Sequence, residues 1–126
     1  MKLVLLAAAG GAFGSAARYL INISIAQIFG HGFPWGTMTV NVVGSFLMGV
    51  FVALGAHRFS MPEELRALIA VGFLGGFTTF SAFSLDFAAL FERKDYGLAG
   101  LYLAGSVSLS ILALFAGLMV VRQWLT

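Results

Sequence analysis

The stretch Val71–Ser84, which reads VGFLGGFTTFSAFS, decides how this chain folds, because it interrupts a long apolar run. Gly72, Gly75 and Gly76 fall within five positions, and each glycine costs about 1 kcal/mol relative to alanine inside a helix. A backbone amide or carbonyl freed in hydrocarbon is costly, so non-helical backbone persists at membrane depth only where protein or a polar cavity satisfies it. We therefore interpret the stretch as a broken membrane helix that binds or conducts a ligand, with a glycine-rich packing face as the alternative.

The composition is that of an integral membrane protein. Of the 126 residues, 60% are hydrophobic and 10% are charged, whereas soluble domains carry about 25% charged residues. The net charge of +2 is too small to suggest nucleic-acid binding. The chain contains no cysteine, which excludes disulfides and thiolate metal sites.

We predict one all-α domain over residues 1–126, with four spans at about 3–29, 37–56, 67–90 and 97–121. The third span contains the opening stretch and is expected to break near Gly75–Thr79. Lys2 and the apolar run after it resemble a signal peptide. Because the apolar character continues to Ile28, we interpret this run as the first span.

The first predicted span carries a charge near its middle, Arg18. Such a charge costs roughly 2.5–3.5 kcal/mol in a membrane helix, so it should face protein or water, unless it snorkels to the boundary. Gly10 and Gly14 form a GxxxG pair in the same span, and small residues at this spacing let helices approach closely.

Nearly all polar side chains at membrane depth are neutral hydrogen-bond donors: Thr37, Asn41, Thr78, Thr79, Ser81, Ser84, Tyr102, Ser106 and Ser110. Asn41 alone could be interhelical glue, and the serines could bond back to their own helix. We interpret Asp86, near the end of the third span, as a boundary carboxylate. A proton-coupled cation exporter normally needs a carboxylate at depth. Donors without deep carboxylates favour a small anion instead.

Phe80 and Phe83 lie three residues apart and share a helix face. The edge of an aromatic ring is electropositive and can assist an anion, although ordinary packing is the alternative. A break at Gly75–Thr79 would also free carbonyls, which suit a monovalent cation such as sodium. The residues alone thus indicate a small-anion path beside a candidate cation site.

Four spans place both chain ends on one side of the membrane. The positive charges then divide as follows, with Arg18 ambiguous: Lys2, Arg58, Arg66 and Arg122 on that side, Arg93 and Lys94 on the other. This bias is weak, and it permits insertion in either orientation as well as a modest preference for cytoplasmic ends. Several small-residue faces suggest a partner, with a second copy of the chain as the first choice.

Three segments, in chain order, resemble motifs of the Fluc (CrcB) fluoride channel family: GGAFGSAARY at 10–19, GTMTVNVVGS at 36–45 and GFLGGFTTFSAFS at 72–84. The match covers the whole chain, and the fourth helix is its loosest part. The resemblance places the family's first-helix arginine at Arg18 and its pore asparagine at Asn41.

The resemblance implies a fluoride-selective passive channel that exports cytoplasmic fluoride across the inner (plasma) membrane. It implies an antiparallel, dual-topology homodimer with two pores and a central structural sodium held by the backbone carbonyls of Gly75 and Thr78. The resemblance implies a fluoride pathway through Asn41, Phe80, Ser81, Phe83, Tyr102, Ser106 and Ser110, to which we add two hydroxyl side chains at membrane depth, Thr37 and Thr79.

Two other functions compete with this interpretation. Small multidrug transporters also have four spans and dual topology, but their essential first-helix glutamate is absent here. A non-transporting scaffold would use the polar groups only to join helices. We do not expect an enzyme, because no histidine, lysine or paired carboxylate is predicted at depth to activate a serine.

Overall fold

The computed structural model describes residues 1–57 and 60–125, and this part of the chain is helical apart from short connections. Its elements in order are α1 (Lys2–Phe29), α2 (Trp35–His57), α3 (Glu63–Arg66), a π-helical segment (Ala67–Leu74), α4 (Gly75–Phe77), α5 (Phe80–Glu92) and α6 (Tyr96–Leu125). Four units are long and apolar enough to cross a membrane: α1, α2, α6 and Glu63–Glu92, which we call the third span. The predicted all-helical fold with four spans is confirmed for the described residues, and the chain is a multi-pass membrane protein.

The third span is interrupted where the hydroxyl residues begin. Thr78 (φ −91°, ψ 158°) and Thr79 (φ −153°, ψ 123°) are extended, and the helix resumes at Phe80. The break therefore occupies the last two residues of the predicted interval. Gly75 and Gly76 themselves remain helical, so the glycines do not form the break.

The glycines instead allow α1 to lie against the first half of the third span. A Cβ atom at Gly10 would overlap the carbonyl oxygen of Leu68, and one at Gly14 would overlap that of Phe73. From the other side, a Cβ at Gly76 would come within 2.8 Å of the Gly11 oxygen. The packing role that was the alternative for the glycine-rich stretch is thus present together with the break.

A second pair of closely packed helices, α2 and α6, supports the other half of the structure. Gly49 of α2 faces the backbone of Leu114, and Gly117 of α6 faces that of Phe46, each without room for a Cβ. Between these helices and α5 lies a small core in which Tyr102 is fully buried. This core fixes the second half of the third span against α6.

The positive charges used to predict orientation are only partly described. Arg58 lies outside the described residues. Lys2 lies 3.3 Å from the Glu64 carboxylate, so the start of α1 and the start of the third span are on the same side. Arg93 and Lys94 follow α5 at the far end of the third span.

Candidate functional site

The break in the third span is held by the side chain of Asn41, which lies in the second turn of α2. Its Oδ1 accepts a hydrogen bond from the backbone amide of Thr79 at 2.7 Å, and its Nδ2 donates to the Thr79 carbonyl at 3.0 Å. Both backbone groups of one extended residue are therefore satisfied by one amide. Asn41 thus joins α2 to the third span, as the alternative for this residue predicted, and it does so at Thr79, which is outside the helix.

Arg18 reaches the same break from α1. Its Nε donates to the carbonyl of Gly76 at 3.0 Å, and the side chain is half-buried. In an unbroken helix this carbonyl would accept the amide four residues on, so the guanidinium replaces a bond at the break. Arg18 thus contacts protein and does not snorkel to the boundary.

The hydroxyls beside the break bond mainly to nearby backbone. The Thr79 hydroxyl accepts from the Ala82 amide at 3.1 Å and caps α5 in the usual N-cap manner. The Thr78 hydroxyl donates to the Leu74 carbonyl at 2.9 Å, and that of Ser84 donates to the Phe80 carbonyl at 3.0 Å. Ser81 is exposed, with its Oγ 3.4 Å from the Thr79 hydroxyl. The main role of these hydroxyls is therefore to stabilise the conformation of the break. A ligand would reach them when they are already engaged in hydrogen bonds within the chain.

Besides the Gly76 carbonyl, those of Gly75 and Thr78 lose their helical donors at the break. The amide that would bond to Gly75 in a continuous helix, that of Thr79, binds Asn41 instead. The amide that would bond to Thr78, that of Ala82, binds the Thr79 hydroxyl. Among the described residues there is no cluster of three or more histidine, cysteine or carboxylate side chains able to hold a metal. Backbone carbonyl oxygens are hard ligands, which suit hard cations rather than soft, thiolate-preferring metals.

A groove of roughly 380 Å³ opens beside the break, between α2, α5 and α6. It collects six residues of the predicted pathway: Asn41, Thr79, Phe80, Phe83, Ser106 and Ser110. The Phe80 and Phe83 rings lie 5.6 Å apart, with Phe80 76% exposed and Phe83 buried. Gly44, Ser45 and Thr78 also line the groove, and of these only Thr78 was among the predicted polar groups at membrane depth.

Among the polar groups of this groove, the Ser106 hydroxyl is the best candidate to bind a ligand. Its side chain is buried, and its hydroxyl has no hydrogen-bond partner within the described residues. A buried hydroxyl without a partner costs about 1–3 kcal/mol. Ser110 lies one turn further along α6 and lines the same groove. The groove therefore contains a donor that the fold itself does not use.

Tyr102 lies beside the groove and does not line it. Its hydroxyl donates to Oδ2 of Asp86 at 3.1 Å, and its ring packs 5.1 Å from that of Phe83. Asp86, interpreted above as a boundary carboxylate, is half-buried and engaged in this bond. Its position one turn after Phe83 was the available sign that it would face the same region.

A second cavity, of roughly 310 Å³, lies next to Asp86 at the end of the spans. Thr37 and Asp86 line it, together with Asn22 of α1 and the connection between α1 and α2. Thr37 and Asn41 are one turn apart on α2, so the second cavity and the groove follow each other along that helix. Thr37 therefore belongs to the second cavity and not to the groove.

Comparison with known proteins identifies the family. A family model described as CrcB-like protein, Camphor Resistance (CrcB), matches residues 5–118. A protein of Rhodospirillum centenum named fluoride-specific ion channel FluC is 54% identical over 122 residues, covering 97% of both chains. Proteins with the same name from Rhizobium etli (53% over 118 residues, 94% of both chains) and Caulobacter vibrioides (52% over 124 residues, 98% of both chains) are also similar. The chain therefore belongs to the CrcB family.

Proposed function

We propose that this protein is a passive, fluoride-selective ion channel and not an enzyme. The observation that carries the proposal is the unpartnered Ser106 hydroxyl inside a groove that also contains Asn41 and the Phe80–Phe83 pair. Relatives above 50% identity that are named fluoride-specific ion channels support it. Hydrogen fluoride enters cells uncharged and dissociates there, so an open path lets the trapped anion leave down its electrochemical gradient.

The groove offers a fluoride ion a partial substitute for its water shell. Ser106 and Ser110 present hydroxyl donors along α6. Asn41 uses one amide hydrogen on the Thr79 carbonyl, and the second remains for a ligand. The edges of Phe80 and Phe83 add weak electrostatic attraction. Weak contacts suit a channel, because an ion must leave each site as readily as it enters.

Three further residues of the implied pathway lie outside the groove, and we assign them to its ends. Thr37 is in the second cavity, and Tyr102 separates that cavity from the groove by packing on Phe83. Ser81 is on the exposed face of α5. In this arrangement the ion crosses the groove between the end near Thr37 and Tyr102 and the end near Ser81. Tyr102 lines this path with its ring, because its hydroxyl is already hydrogen-bonded to Asp86.

We further propose that two copies assemble as an antiparallel homodimer with two such paths. The argument is the exposure of polar groups at membrane depth: Ser81 and Gly75 are exposed, and the Gly75 carbonyl lacks its helical donor. Irregular backbone does not occur facing lipid, so protein must cover this face. A second copy is the simplest cover, and the weak charge bias permits it to insert inverted.

In the homodimer, the carbonyls of Gly75 and Thr78 would hold a structural sodium ion. Both carbonyls have lost their helical donors, and Gly75 is exposed on the face that the second copy would cover. The ion would neutralise the carbonyl dipoles and add positive potential near the paths. We assign the assembly to the inner (plasma) membrane, where it would protect the cytoplasm.

Fluoride efflux from liposomes tests the proposal. Purified protein is reconstituted with internal potassium fluoride, and a fluoride electrode records release after a potassium ionophore is added. We expect fast fluoride release and no chloride release from matched potassium chloride liposomes. Absence of fluoride release from a stable dimer would refute the channel and favour the scaffold.

A further inference from the structure

Arg93 connects the end of the third span to the loop between α1 and α2. Its Nη2 donates to the carbonyl of Gly32 at 2.9 Å and lies 3.1 Å from Oδ2 of Asp95. The turn that brings Asp95 back to Arg93 passes through Lys94, which has φ of 65°. The guanidinium is thus shared between a carboxylate of its own turn and a backbone oxygen 61 residues away.

The bound loop forms one wall of the second cavity. Residues 30–36 contribute Gly30, His31, Phe33, Pro34, Trp35 and Gly36 to its lining. Hydrogen bonds within this segment are local: the Gly30 amide bonds to Ala26, and the Trp35 amide bonds to Phe33. Arg93 supplies a bond from a distant element, at the residue just before Phe33.

Phe33, the residue after Gly32, links the loop to the interior of the protein through ring contacts. Its ring meets that of Tyr102 edge-on, at 5.5 Å and 88°, and it lies 4.6 Å from the ring of Trp35. Tyr102 in turn packs on Phe83, which lines the groove. A continuous series of contacts therefore runs from exposed Arg93 to the groove.

We propose that Arg93 is a positioning residue for the ion path, because its bond to Gly32 keeps Phe33 against Tyr102 and thereby fixes the aromatic wall that ends at Phe83. The inference rests on the proposed channel function. The Arg93 side chain is 47% exposed, so the effect is modest. Loss of one such hydrogen bond corresponds to a change of about two- to tenfold in the population of the ordered loop.

Three variants separate the hydrogen bond from the charge. Arg93→Gln removes the guanidinium, and Arg93→Lys keeps the charge without the planar fork. The neighbouring Lys94→Gln removes an equal charge from an exposed position that makes no side-chain contact with Gly32. Each is made in a Trp124→Phe background. Because the chain has two tryptophans, Trp35 is then the only one and reports on the loop.

Two measurements are made on each dimer in liposomes: acrylamide quenching of Trp35 fluorescence and the initial rate of fluoride release. We expect Arg93→Gln to increase quenching and to change the release rate by about two- to tenfold. Arg93→Lys should lie between Arg93→Gln and the parent, and Lys94→Gln should match the parent in both measurements.

The proposal is overturned if Arg93→Gln matches Lys94→Gln in either measurement, because the loop or the path would then be independent of the bond. It is also overturned if Arg93→Lys matches the parent while Lys94→Gln is impaired to the same degree as Arg93→Gln, since charge alone would then explain the result. If the parent releases no fluoride, the channel function fails, and the quenching data still show separately whether Arg93 holds the loop.

Discussion

Substitution of Asn41 separates its structural role from its effect on an anion. Asn41→Leu keeps the approximate side-chain volume and removes both bonds to Thr79, at 2.7 and 3.0 Å. Each backbone group left without a partner costs about 1–3 kcal/mol. The free energy of unfolding should therefore fall by about 2–6 kcal/mol.

Asn41→Asp should be less harmful to folding and more harmful to flux. A carboxylate can still accept the Thr79 amide but cannot donate to the Thr79 carbonyl, so about 1–3 kcal/mol of stability is lost. An ionised carboxylate about 4 Å from a fluoride ion raises the energy of that ion by about 4 kcal/mol at an effective dielectric constant of 20. Occupancy of the groove, and with it flux, should fall roughly a thousandfold.

Stability is measured by urea unfolding in detergent, followed by circular dichroism, and flux by the fluoride electrode. Met48→Leu is the control, because Met48 lines the groove and the exchange nearly conserves volume. Stability should decrease in the order Met48→Leu, Asn41→Asp, Asn41→Leu, and only the control should conduct normally. Flux through Asn41→Asp above a tenth of the parent rate would refute the reasoning, as would Asn41→Leu being as stable as the control.

Four other changes have definite expected outcomes. Ser106→Ala should leave the unfolding free energy unchanged or higher and lower fluoride release about 10–100-fold, whereas Ser108→Ala, on an exposed face, should alter neither. Phe80→Ile should abolish release while gel filtration still finds the dimer, and Leu85→Ile, equally exposed on α5, should conduct. Gly14→Ala should lower the unfolding free energy by about 1–3 kcal/mol, because a Cβ meets the Phe73 backbone, and Gly97→Ala, which has open space, should not. Replacing sodium by N-methylglucamine should lower the melting temperature of the dimer, and returning sodium should restore it; a melting temperature independent of sodium would contradict the cation site.

The position of the break was predictable from sequence, but its chemistry was not. Glycines of low helix propensity drew attention to the right interval, yet Gly75 and Gly76 stay helical, and Gly76 packs against α1 where a Cβ would not fit. The residues that leave the helix are Thr78 and Thr79. What stabilises Thr79 outside a helix is Asn41, 38 residues away, and no local pattern encodes that contact. The π-helical segment Ala67–Leu74 likewise has no sequence sign that we identified.

Helical spacing predicted which side chains share a helix face, but it did not predict which of them reach the groove. Tyr102, Ser106 and Ser110 are four residues apart and share one face of α6, as predicted. Ser106 and Ser110 line the groove, whereas the Tyr102 hydroxyl is occupied by Asp86 of α5. Periodicity determines which residues point the same way along one helix. Which of them meets a cavity depends on the neighbouring helix, so Tyr102 could not be separated from the serines by spacing alone.

Some polar groups at the break have hydrogen-bond partners and others have lost theirs, and this difference argues for a second protein surface. Groups that face the interior have partners from other helices: Asn41 binds both backbone groups of Thr79, and Arg18 binds the Gly76 carbonyl. The carbonyls of Gly75 and Thr78 have lost their helical donors, and Gly75 is exposed. In lipid this arrangement would cost several kcal/mol per group. Since the same fold supplies partners to the adjacent residues Gly76 and Thr79, we propose that the carbonyls of Gly75 and Thr78 bind a cation shared with a second copy of the chain.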